Sequence, residues 1–153
     1  MPKINVAAIK KLRDETGAGV MRVKSVLTEV KGDEKQALDI LKKEGFEKTA
    51  KRQDRATGQG VVASYIHHSG KMGALVEILC ETDFVAKNEL VQELAKNVTL
   101  QIASMNPKTT NALEASDFIK DPSKKVSDLV KEVIAKTGEN IKIGKFARIE
   151  IGK

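Results

Sequence analysis

A chain of 153 residues suits one ordinary domain or two small ones. Its 41% hydrophobic and 31% charged content excludes a disordered chain, and no apolar run approaches the roughly 20 residues of a membrane-crossing helix. The net charge of +6 fits either a nucleic-acid surface or an acidic protein partner.

The N-terminal Met1-Pro2-Lys3-Ile4-Asn5 contains no signal-peptide hydrophobic region. Cys80 is the single cysteine, which leaves no intrachain disulfide and makes a reducing cytoplasm the expected compartment. Asn5 is positioned to cap a first helix from Val6 to about Thr16, with Val6, Ile9 and Leu12 on one side. Gly17-Ala18-Gly19 then forces a tight turn. Val20, Val23, Leu27 and Val30 form the apolar stripe of a second helix that ends at Gly32. Asp33 and Gln36 have capping-box spacing for a third helix, which buries Ala37, Leu38 and Leu41 and is expected to stop at Gly45. A three-helix bundle over residues 1–47 has a limited core, better suited to docking than to housing an active site.

Residues 48–60 carry Lys48, Lys51, Arg52 and Arg55 with few apolar neighbours and close on Gly58-Gln59-Gly60. They read as a solvated basic linker, helical at most at its start. The run has no interleaved aromatics, so it lacks the stacking platforms of single-stranded nucleic-acid binders. From Val61 the pattern alternates. Val62, Ser64 and Ile66 face opposite to Ala63, Tyr65 and His67, a loop follows at His68–Gly73, and the return strand runs from Ala74 to Glu81. After Thr82–Asn88, helical spacing resumes with Val91, Leu94, Ala95, Val98 and Ile102 until Asn106-Pro107. Residues 108–123 read as loop, and Ser127 as the cap of a helix containing Leu129, Val130, Val133 and Ile134. The last strand, Ile141–Ile151, is expected to set Ile141, Ile143, Ala147, Ile149 and Ile151 on one face, with a bulge at Gly144. The fold class is therefore α+β: a helical bundle, then a 61–153 unit with a small antiparallel three-stranded sheet packed with helices.

Little in the sequence points to bond chemistry. His67 and His68 are adjacent on a strand end and point to opposite faces, so they do not share a metal. Cys80 falls on an apolar strand face with no CxxC partner. The Gly-x-Gly and Gly-x-x-Gly runs match no phosphate-cradling fingerprint, and no local motif implies a Ser-His-acid set. The expectation is a protein that is not an enzyme and holds no metal or cofactor. The remaining feature is Asp83-Phe84, at a strand-to-helix junction in a chain with only four Phe, one Tyr and no Trp. Junction loops often carry function, but a phenylalanine is more commonly part of the core. Periodicity leaves both readings open.

Two separated segments resemble one family. Leu12-Arg13-Asp14-Glu15-Thr16-Gly17-Ala18-Gly19 is similar to the N-terminal signature of bacterial elongation factor Ts, and Thr82-Asp83-Phe84-Val85-Ala86-Lys87-Asn88 to its second signature. Asp121-Pro122-Ser123-Lys124, Gly138-Glu139-Asn140-Ile141 and Phe146-Ala147-Arg148 resemble further family segments in the same order. The resemblance implies a ubiquitin-associated-like N-terminal bundle and a guanine-nucleotide exchange factor for elongation factor Tu, in its GDP-bound and nucleotide-free states. It implies that Thr82, Asp83, Phe84 and Val85 press on the partner near its magnesium site, and that Leu12, Thr16, Gly17, Ala18, Gly19, Val20 and Met21 form an N-terminal docking surface. It also implies a short form with one core subdomain, dimeric through the core sheet, with neither nucleic acid nor membrane as a direct partner. Two positions depart from the family: Val20-Met21 replaces a methionine pair, and Gly144-Lys145 an arginine pair. The competing class is a basic nucleic-acid or ribosome-associated binding module without exchange activity.

Overall fold

A computed structural model describes residues 3–153; Met1 and Pro2, the start of the segment read as leaderless, lie outside them. The first apolar cluster is a bundle of three helices, α1 (Val6–Thr16), α2 (Val20–Glu29) and α3 (Glu34–Ala50). Asn5 caps α1 as its spacing predicts, its side chain accepting from Ala7 N at 2.9 Å, and Asp33 caps α3 by accepting from Gln36 N. Leu12 of α1, Val23, Val26 and Leu27 of α2, and Ala37 and Leu41 of α3 are buried together.

Helix α3 does not stop at Gly45. A glycine inside a helix costs about 1 kcal/mol relative to alanine, and burial of Leu41 before it and Thr49 after it carries the helix through to Ala50. The basic stretch beyond is not a free solvated linker either. Arg52 lies within 3.4 Å of the Ile134 carbonyl, and the buried Asn140 donates its amide to the carbonyls of Gln53 and Arg55 at 3.3 and 2.8 Å. Carbonyls at the C-terminal end of a helix and a buried carboxamide both need partners, and the basic stretch supplies them.

The second cluster is built on an antiparallel sheet of β1 (Gln59–Ile66), β2 (Met72–Cys80) and β5 (Lys142–Glu150), with β2 in the centre. One sheet face meets α5 (Glu89–Met105), and α7 (Val126–Thr137) packs in turn against α5 and α3. This cluster buries Val76, Ile78 and Cys80 with Val91, Val98 and Ile102 of α5 and Val130 and Ile134 of α7. The β2–β5 register shifts between Val76 and Ile78, at the glycine read as a bulge. A Cβ on Gly144 would lie 2.6 Å from a Glu77 carboxylate oxygen, and that carboxylate accepts from Lys145 N at 3.0 Å. The extra residue flips the strand's facing. Ile141 and Ile143 enter the core, whereas Ala147, Ile149 and Ile151 emerge on the opposite, uncovered face, so the single shared face expected for all five does not form.

Residues 108–123 are more ordered than their polar composition suggests. They form α6 (Thr110–Ala115), β3 (Asp117–Phe118) and the start of β4 (Asp121–Lys125), with β3 and β4 paired antiparallel. Leu113 and Phe118 are buried anchors. The fully buried Gln101 of α5 donates to Ser116 Oγ and the Asp117 carbonyl and accepts from Ile119 N. Helix α7 begins one residue before Ser127, with Asp128 accepting from Lys125 N at 3.0 Å. Ser127 therefore sits in the first turn and is not the cap.

Candidate functional site

Central strand β2 delivers the chain to the site. Its last residue, Cys80, is buried, and its thiol donates to the Thr82 carbonyl at 3.1 Å. Burial pushes this thiol's pKa up, with nearby Glu139 adding to the effect, so it is a poor nucleophile. Thr82 then leaves the strand with extended backbone. Its hydroxyl accepts from Val85 N at 3.3 Å, capping the single turn α4 (Asp83–Ala86). At the far end of that turn, Gln92 donates to the Ala86 carbonyl at 2.8 Å, and Asn88 caps α5 by accepting from Leu90 N.

The turn is thus tied at both ends while its middle projects. Ala86 is buried and Val85 half-buried against the core, but Phe84 is 89% exposed. This rules out Phe84 as a plug of the local core within the chain. Asp83 forms an exposed ion pair with Lys87 at 2.8 Å, and the neighbouring carboxylate raises the Lys87 pKa. An exposed pair of this kind contributes little stability, so its loss would cost the fold little.

A carboxylate from outside the segment holds the loop. Glu139, just past the αL residue Gly138 that ends α7, accepts from Glu81 N at 3.1 Å, Thr82 N at 2.9 Å and the Thr82 hydroxyl at 2.6 Å. In return Glu81 accepts from Asn140 N at 2.8 Å and lies 3.6 Å from the Arg55 guanidinium. Neither Glu81 nor Glu139 stands out in the sequence as a site residue. The available signal was an acidic residue directly before the family-like Thr82–Asn88 segment and another within Gly138-Glu139-Asn140-Ile141.

The predicted N-terminal surface separates into two kinds of residue. Leu12 and Thr16 are buried: Leu12 belongs to the bundle core, and the Thr16 hydroxyl bonds the Leu12 carbonyl at 2.6 Å. Neither presents a contact surface. Gly17 adopts φ 71°, and a Cβ there would stand 2.8 Å from Lys136 Cα of α7, so its lack of a side chain serves the chain's own packing. Ala18 is half-buried and Gly19 exposed. The outward apolar residues are Val20, 43% exposed, and Met21, 76% exposed. Behind them Arg22 bonds Glu44 of α3 and lies 3.2 Å from Glu29. The Arg22 hydrogen bond holds the Glu44 carboxyl below its usual range.

Among the described residues no group of three or more His, Cys, Asp or Glu side chains converges as a metal site. His67 and His68 do not point to opposite faces as a strand would place them: β1 ends at Ile66, and in the turn that follows their ring centroids lie 4.0 Å apart, tilted by 37°, with His67 Nδ1 paired with Ser69 Oγ at 2.8 Å. No helix among the described residues is long and apolar enough to cross a membrane.

Comparison with known proteins agrees with the geometry. The family described as elongation factor TS matches residues 81–153, the part that carries the β2–α4 junction, Glu139 and the closing strand. Elongation factor Ts of Oleidesulfovibrio alaskensis is 38% identical over a 197-residue alignment covering 99% of this chain and 100% of that protein. The chain belongs to the elongation factor Ts family. That membership makes it a translation elongation factor. The Ts factor of Solidesulfovibrio magneticus is 37% identical over 100% of this chain and 99% of its own length. That of Clostridium botulinum is 41% identical over 98% of this chain, but only 49% of the relative is matched. The first two alignments, of 197 and 198 residues, are longer than the 153-residue chain. Those relatives therefore carry internal sequence with no counterpart here.

Proposed function

We propose that this chain is a cytoplasmic guanine-nucleotide exchange factor that binds elongation factor Tu and promotes GDP release without any bond chemistry of its own. The observation that carries the reading is the near-complete exposure of Phe84 on a one-turn helix tied at both ends. A large apolar side chain held in water on a fixed support has its burial energy in reserve for a partner, about 1.5–3 kcal/mol for one phenylalanine. An exchange factor must bind the nucleotide-free partner more tightly than the nucleotide-bound one, and by linkage nucleotide weakens the factor by the same ratio. A ratio of about 10⁴ requires about 5.5 kcal/mol of differential affinity. Phe84 supplies part of it, and Asp83 adds charge beside the partner's magnesium. That ion depends on near-octahedral oxygen geometry and is weakened by small displacements of its ligands.

In this reading the α1–α3 bundle docks through Val20 and Met21 with contacts that need not discriminate nucleotide states. The stretch between Ala50 and Gln59 connects it to the core, which carries the lever. Phe84→Ala should slow catalysed release of fluorescent GDP from elongation factor Tu more than it weakens binding to the factor. Stopped-flow release rates left unchanged by the substitution would refute the proposal.

A dimeric state is the second part of the proposal. The sheet face away from α5 and α7 exposes Val62, Ile66, Leu75 and Ile149. Ile66, Gly73 and Ile149 stand directly across the three strands from one another. A contiguous apolar sheet face of this kind is the signature of an interface, and a second copy of the chain supplies a matching one through an isologous contact.

A further inference from the structure

We infer that Glu139 is a positioning residue for the exchange lever, setting where Asp83 and Phe84 project without touching the partner itself. The inference rests on the exchange reading above and concerns how this chain keeps its lever stiff. Glu139 lies 57 residues from Thr82 in sequence, yet it accepts both of that residue's donors. With Glu81 N as well, three donors converge on one carboxylate. Hydrogen bonds to an ionised acceptor are stronger than neutral ones. The arrangement also orients the Thr82 hydroxyl. Its hydrogen goes to Glu139 Oε2 at 2.6 Å, which leaves a lone pair for Val85 N, the bond that closes the turn carrying Phe84.

The reciprocal bond from Asn140 N to Glu81 makes the connection two-stranded. Asn140 is 1% exposed, and its amide grips the carbonyls of Gln53 and Arg55. The strand-to-helix turn bearing the lever is therefore anchored to the α7–β5 turn, which in turn holds the connector leading back to the bundle. A one-turn helix has little stability of its own. Without Glu139, the cap at Thr82 would lose its orientation and Phe84 its fixed direction.

The test is a double-mutant cycle on release of fluorescent GDP from elongation factor Tu, using the full chain with Glu139→Ala and Glu139→Gln, each with Phe84 intact and with Phe84→Ala. With Phe84 intact, Glu139→Ala should lower the maximal release rate about tenfold to a hundredfold, the range that a misplacement of roughly 1 Å produces. The half-saturating factor concentration should change less than about twofold, because docking through the bundle is untouched. Glu139→Gln keeps an accepting oxygen but loses the charge, so the loss should be about fivefold. In the Phe84→Ala background both substitutions should slow release by a clearly smaller factor, since only Asp83 is left to be positioned. The glutamine variant carries the cycle if the alanine variant does not fold. Equal slowing with and without Phe84, or a change confined to the half-saturating concentration, would overturn the inference. If Phe84→Ala slows release and neither Glu139 variant does, the positioning role alone falls. If Phe84→Ala leaves release unchanged, the exchange reading falls and takes this inference with it.

Discussion

Substituting alanine at Gly17 introduces a side chain where the backbone geometry and the neighbouring helix both oppose it. Gly17 sits at φ +71°, and its added Cβ would stand 2.8 Å from Lys136 Cα and 3.0 Å from the Ala135 carbonyl oxygen. Holding a non-glycine residue in the left-handed region costs about 1–2 kcal/mol. The second cost is overpacking against α7 backbone, which cannot rotate away as a flexible side chain would, and it adds about 1–3 kcal/mol. Gly17→Ala should therefore destabilise the chain by about 2–5 kcal/mol. Gly138 provides the control: its φ is +76° and an added Cβ meets nothing within 4 Å, so Gly138→Ala should cost only the backbone component, about 1–2 kcal/mol. Urea denaturation followed by far-ultraviolet circular dichroism measures both, and equal slopes allow the midpoints to be compared. Equal losses for the two variants would show that the Gly17 turn does not press on α7. The assignment of Gly17 to internal packing, ahead of partner contact, would then fail.

The Arg22–Glu44 pair predicts a pH dependence. Glu44's folded pKa is depressed below its ordinary 4.5, chiefly by the Arg22 hydrogen bond. Its contribution is therefore complete above that value and is lost as pH falls through the lower folded value. Glu44→Gln should be less stable than the parent near neutral pH, and the two urea midpoints should converge in strong acid. A gap that stays constant would exclude the linkage. On the open sheet face, Leu75→Lys combined with Ile149→Lys should turn a dimer into a monomer in analytical ultracentrifugation. Like charges brought face to face, with apolar area lost, oppose association. A mass unchanged by the double substitution, or a parent chain already monomeric at micromolar concentration, would refute a dimer through this face.

Much of the architecture was legible in local pattern. Asn5 and Asp33 cap the helices their spacing predicts, the β1–β2 hairpin alternates as its residues imply, and Gly144 marks the register shift. The caps and the hairpin depend on interactions between residues close in sequence, and Gly144 is legible from its own missing side chain although the strand it pairs with lies 68 residues away. Elsewhere local reading misled. Gly45 is passed through because of tertiary burial on either side of it, residues 108–123 are organised by a glutamine on another helix, and the basic stretch after α3 is held by Asn140 more than eighty residues away.

Asp83-Phe84 divides in the same way. Residue type and spacing put an acid and an aromatic at a strand-to-helix junction, and resemblance to a family marked the pair as functional. Residue type and spacing left the ring's direction open, because a single turn has no periodicity to read, and only the resemblance implied that it faces outward. The outward direction follows from tertiary contacts: Ala86 and Val85 take the inward positions, and Gln92 and Glu139 tie the two ends. The sequence alone established which residues meet at the junction. Only the tertiary structure fixed Phe84 in solvent, because the tie that orients its turn joins Thr82 to Glu139, 57 residues away along the chain.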